Sequence, residues 1–187
     1  MTIYLLLALA LLAVFVVGVY NGLIKLKNKV DEGWADIDTQ LKRRHDLIPN
    51  IVETVKGYAS HEAQTLENIT KARSDAMSAQ DTKGKEDAEN MLSGALKSIF
   101  ALAENYPDLK ANQNFLDLQQ TLTEVEENIQ LSRRYYNATV RDFNTKIEVF
   151  PNNLLASPFG FKKRDFFQAS DDEKKNVKVS FSDEKKQ

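Results

Sequence analysis

The chain has 187 residues, 42% of them apolar and 28% charged, with a formal net charge of −2. That length allows one domain plus an accessory segment, and the composition is that of an ordinary folded chain with nothing that points to nucleic acid. The absence of cysteine rules out disulfides and thiolate metal sites in any compartment.

The 25 basic and 27 acidic residues all lie beyond position 24. Residues 3–24, IYLLLALALLAVFVVGVYNGLI, form an uncharged stretch that spans about 33 Å as a helix, against a hydrocarbon core of about 30 Å. This predicts a single transmembrane anchor over residues 1–24. A cleaved secretory signal would need a positive n-region, a shorter apolar core and a small-x-small cleavage site, and none of these is evident. Lys25, Lys27 and Lys29 follow the span and only the α-amino group precedes it, so the positive-inside rule predicts an outer N-terminus and a cytoplasmic bulk. Within the span Gly18 and Gly22 form a G-x-x-x-G, a pattern that permits close helix contact.

From Lys25 onward the apolar periodicity is helical. Val30, Trp34, Ile37, Leu41, Ile48, Ile51, Val55 and Tyr58 predict a helix over residues 25–58, ending near Gly57 and Ser60. Ala63, Leu66, Ile69, Arg73 and Met77 mark a shorter helix over 61–79, and the polar run 80–85 is expected to be a loop. Ala88, Leu92, Ala95, Ile99, Leu102 and Tyr106 make a third helix, stopped by Pro107. Phe115, Leu122, Ile129, Tyr136, Phe143 and Phe150 fall every seventh residue and predict one long helix over 112–149, capped by Asn112 and stopped at Pro151.

The fold class is therefore all-α, with an N-terminal transmembrane helix followed over residues 25–150 by an up-and-down four-helix bundle of two long and two shorter helices. Helix one climbs about 50 Å from the membrane and helix four descends about 57 Å, so its end returns to the bilayer surface. The segment that follows, residues 151–187, opens with Leu154, Leu155, Phe159, Phe161, Phe166 and Phe167 around Lys162, Lys163 and Arg164. Aromatic and basic residues at that height suit contact with lipid or a neighbouring subunit, or packing back on the bundle itself. Residues 177–181, VKVSF, alternate like a short strand; otherwise residues 170–187 read as a charged, loosely held end.

The stretch KRRHDLIPN, residues 42–50, crowds charges, a histidine and a proline into helix one. Arg44 fills the slot between Ile37 and Ile51 in the apolar stripe, so it needs a buried partner. Counting along helix four offers Glu124, Glu126 and Glu127 at that height, and Arg133 and Arg134 opposite Asp36 and Asp38. Pro49 has no N–H for the carbonyl of His45, so a kink or opening is expected there, with polar neighbours to satisfy the carbonyl. The cluster reads as an interhelical network and not as a lipid patch, since it lies about 30 Å above the bilayer.

Four stretches carry a resemblance: RRHDLIPNIVETVKGYASHE (43–62), ENYPDLKANQNFLDLQ (104–119), RRYYNATVRDFN (133–144) and FPNNLLASPFGFKKRDFF (150–167). In order and spacing they resemble the LemA family over essentially the full chain. The resemblance implies a bacterial single-pass protein of the inner membrane with a helical-bundle domain, and it implies no reaction or ligand. Arg44, Asp46, Pro49, Asn50, Arg133, Tyr136 and Asn137 fall on family motif positions.

The residues themselves offer no catalytic constellation. His45 and His61, the only histidines, sit 16 positions apart across a helix end, and His61-Glu62 lacks the second histidine of a zinc protease. No phosphate loop, G-x-S-x-G turn or nucleophilic cysteine occurs. Asp171-Asp172 reads as solvated, and the acceptor patterns at Asn68 and Asn137 fall inside helices on the expected cytoplasmic side. A non-enzyme without metal or cofactor is expected, with the bilayer and other copies of itself as partners. The leading expectation is a self-associating, membrane-organising scaffold; the alternative is a monomeric or small-oligomer adaptor for a membrane protease, kinase or transporter.

Overall fold

The computed structural model describes residues 1–167; the strand-like run at 177–181 and the charged end at 170–187 lie outside them. The described chain is all-helical: α1 (Thr2–Lys56), α2 (Ala63–Ser78), α3 (Thr82–Ala103), α4 (Pro107–Lys110), α5 (Gln113–Glu148) and α6 (Asn153–Ala156). Anchor and first bundle helix are one element, because no glycine turn or proline interrupts α1 before Pro49. At 55 residues it is about 80 Å long. It runs through Pro49 as a single helix, and the His45 carbonyl freed by the proline accepts from Arg73 Nε of α2 at 2.8 Å.

Capping fixes the other starts. Asn112 accepts from the Phe115 N–H at 3.0 Å and opens α5. Asp81 does the same for the Gly84 N–H at 2.7 Å. This corrects the loop expected over 80–85: with Asp81 as cap, α3 already begins at Thr82. Two single turns, α4 and α6, join the four helices read from the periodicity.

The bundle end of α1 packs along α5, and α2 pairs with α3. Closest approach in the α1/α5 seam is at Gly33, where an added Cβ would stand 3.2 Å from the Tyr136 Cα and 3.3 Å from the Tyr135 ring. Two apolar clusters divide the interior. One, far from the apolar stretch of α1, joins Ile48, Ile51, Val55, Ile69, Leu92, Ile99, Phe115 and Leu122. The other, nearer to it, joins Leu23, Val30, Ile37, Leu41, Val125, Ile129, Val140 and Phe143. The buried stripe of α3 runs Glu89, Leu92, Leu96, Ile99, Ala103, rotated about one residue from the expected one through Ala88 and Ala95. In α2 the buried positions are Ile69, Ala72 and Ala76, while Met77 faces solvent.

Leu23 is fully covered, Val19 and Tyr20 still touch the rest of the chain, and below them the helix stands clear. It is the one helix among the described residues long and apolar enough to cross a membrane. The last turn of the expected span is thus sheathed by protein, and the bare portion ends near Tyr20.

Candidate functional site: an ionic layer and an aromatic cuff

Arg44 has no solvent exposure and lies between the two apolar clusters. Its Nη1 donates to Glu126 Oε1 at 2.6 Å and to Ser93 Oγ at 3.0 Å, and its Nη2 pairs with Glu89 Oε2. Glu89, also fully buried, places its other oxygen 2.8 Å from His45 Nε2. Arg44, Glu89, His45 and Glu126 form a polar layer through the bundle, tying α1 to both α3 and α5. Burial pushes the Glu89 carboxyl up, but the His45 hydrogen bond and the Arg44 charge outweigh it, and the net shift is below the ordinary carboxylate value. Burial likewise works against the Arg44 cation, and Glu126 and Glu89 more than offset it.

Of the three carboxylates offered by α5, Glu126 is the one in contact. Glu124 accepts from Gln120 at 3.2 Å on the surface, and Glu127 is exposed. The level expected to join Arg133 and Arg134 to Asp36 and Asp38 is built differently. Asp38 pairs with Lys85 of α3 at 2.7 Å, and that lysine lies 5.3 Å from the Trp34 ring centroid. Arg133 stands 4.6 Å over the Phe167 ring, Arg134 donates to the Gln130 carbonyl at 3.4 Å, and Asp36 is exposed. α3 supplies the other charges of both levels, Glu89 to Arg44 and Lys85 to Asp38. Glu89, absent from the sequence reading, follows the same pattern as Arg44: it occupies the stripe slot three residues before Leu92.

The segment after α5 forms a cuff around α1. Phe159 and Phe161 meet Tyr20 edge-on at centroid distances of 5.2 and 5.9 Å, and Phe161 also reaches Phe143 at 6.3 Å. From there the chain turns back up α5. Asn144 and Asn137, one heptad apart, each present an amide that mimics a peptide group. Asn144 donates to the Arg164 carbonyl and accepts from its N–H, both at 2.9 Å. Asn137 donates to the Phe167 carbonyl at 2.7 Å and accepts from its N–H at 2.9 Å. Tyr136 adds a bond from its hydroxyl to the Asp165 carbonyl at 2.9 Å, and burial holds its phenol above the ordinary value.

Of the arrangements open to this aromatic segment, residues 161–167 take the packing back along the helices of this chain. Phe167 is buried beside Trp34, 6.0 Å between centroids, well above Tyr20. Lys163 pairs with Glu148 and Arg164 with Asp31 at 3.1 Å, so both are engaged within the chain. Phe159 and Phe166 remain 46% exposed, and Leu154 and Phe150 more so; Leu155 is half-buried. Gly18 and Gly22 have nothing within 4 Å of an added Cβ. Among the described residues no group of three or more His, Asp or Glu side chains is placed to hold a metal ion.

These observations define a class: an all-helical protein, bundled at one end of a helix long and apolar enough to cross a membrane. The chain belongs to the LemA family, whose model matches residues 33–181. It is 31% identical over 171 residues to Protein LemA of Metamycoplasma hominis, covering 88% of this chain and 75% of that one. It is also similar to Magnetosome protein MamQ 2 of Paramagnetospirillum magneticum, at 23% identity over 80% of this chain and 64% of that one. Magnetosome protein MamQ of Magnetospirillum gryphiswaldense matches at 21% over 79% of this chain and 64% of its own length. The chain thus spans just under two thirds of the magnetosome relatives.

Proposed function

We propose that the protein is a non-enzymatic, single-pass membrane protein whose up-and-down four-helix bundle stands in the cytoplasm and whose copies self-associate as a membrane-organising scaffold. The observation that carries this reading is the placement of bare apolar surface. It is concentrated at one end of the molecule, on the uncovered part of α1 and on Phe150, Leu154 and Phe159 of the adjoining cuff. The open backbone at Gly18 and Gly22 supports close approach of a second copy within the bilayer, and Leu131 and the part of Tyr135 that projects from the α1/α5 seam leave further apolar surface along α5. The family and the magnetosome relatives are consistent with a membrane-associated role.

Because the chain has no cysteine, a single Gly18→Cys replacement gives an unambiguous cross-linking reporter. Oxidation of native membranes should yield a disulfide-linked dimer from position 18 and much less from Val16→Cys on the opposite face of the helix. Absence of a dimer at both positions contradicts contact through the span. The adaptor alternative finds support in a cleft of 490 Å³ between α3 and α5, floored by Leu96, Phe100 and Leu122 and edged by Lys97 and Glu126. It would be favoured by a monomer that retains one other protein through extraction.

A further inference from the structure

We propose that the cuff holds a binding site for the phosphate group of an anionic phospholipid, formed by Lys27 and Lys162 over an aromatic floor. The inference rests on reading α1 as a membrane anchor. A cavity of 350 Å³ opens between α1 and the cuff, floored by Phe143 and Phe161 and rimmed by Lys27 and Lys162. Gly160, at φ +75°, makes the reversal that sets the Phe161 ring against Tyr20 and Phe143 and leaves Lys162 exposed. The other two cations of this rim are engaged within the chain, Lys163 by Glu148 and Arg164 by Asp31. The same pairs occupy Glu148 and Asp31, and Lys27 and Lys162 form no ion pair with a described residue.

Height decides the ligand. Lys27 lies seven residues beyond Tyr20, about 10 Å along the helix. The headgroup layer extends roughly 5–8 Å beyond the hydrocarbon, and a lysine side chain directed along its helix reaches it. Two cations at that depth fit a single phosphate, while the aromatic floor and the bare helix below accept the acyl chains, as in basic headgroup sites on the cytoplasmic side of other membrane proteins.

The test uses the full chain in phosphatidylcholine vesicles with spin-labelled phosphatidylglycerol or phosphatidylcholine as probe. The protein should immobilise the anionic probe preferentially. The Lys27→Gln/Lys162→Gln double variant should lose on the order of five-fold or more of that preference. A Lys42→Gln/Arg43→Gln variant, with equal charge removed far up the bundle, should keep it. An unchanged preference in the first variant, or an equal loss in the second, overturns the site. Flotation with the vesicles is scored alongside: failure of the unaltered chain to float contradicts the anchor reading instead.

Discussion

A buried arginine facing a buried glutamate is tolerated only while both are present, because each has given up its water. Removing either leaves the other charged and unsolvated, at a cost of about 3–5 kcal/mol. Arg44→Met strands Glu89 with His45 as its remaining contact, and Glu89→Leu strands Arg44 with Glu126 on the half-open side. Each single variant should be strongly destabilised, and the Arg44→Met/Glu89→Leu double variant should be milder than the sum of the two. Thermal unfolding of all four proteins in detergent, read as a double-mutant cycle, measures that coupling. Strict additivity would show that the layer is not coupled.

Glu89 also sets a pH dependence. A carboxyl whose folded-state pKa lies below its ordinary 4.5 binds fewer protons folded than unfolded. The stability it contributes is complete above 4.5 and is lost as pH falls through the lower folded value. The unaltered chain should therefore weaken steeply on acidification in that window, and Glu89→Gln should show a shallower fall. Identical slopes in the two melting series would remove Glu89 as the cause.

At the scale of elements, the α1/α5 seam depends on Gly33. A side chain there meets the Tyr136 backbone at 3.2 Å, which a helix cannot yield without separating. Gly33→Val is expected to cost about 1–3 kcal/mol. Gly94, on an open face of α3 with nothing within 4 Å, is the counterpart: Gly94→Ala should stabilise by up to about 1 kcal/mol through helix propensity. Melting temperatures that move in opposite directions for the two variants check the packing register of both helices.

Helix identities, the caps at Asn112 and the stop near Gly57 were legible because they rest on local periodicity and on side chains within three residues of their partners. What was not legible depended on angle and distance in three dimensions. The rotation of α3 placed Glu89 instead of Ala88 in the core, and Asp38 found Lys85 across a helix pair. The return of residues 161–167 along α5 needs Asn137 and Asn144 to act as peptide surrogates. Their heptad spacing is visible in the sequence, but the same spacing serves any exposed polar pair.

At the scale of the molecule, the ionic layer, the clamped return segment and the cuff place the exposed rings of Phe150 and Phe159 beside the emergence of α1. Phe161 lies between Tyr20 and Phe143, so its removal is a loss of internal packing; Phe150, Leu154 and the exposed half of Phe159, whose other side rests on Tyr20, are available to engage another copy. Serine at those three positions should leave helical circular dichroism and membrane insertion unchanged and reduce association. The most direct measurement of the central claim is the mass of the unaltered full chain extracted from membranes in a mild detergent and weighed by light scattering or mass photometry. A self-associating scaffold predicts a discrete particle of many subunits that dissociates when Phe150, Leu154 and Phe159 are replaced together. A monomer across the concentration range, retaining one different protein, would contradict it.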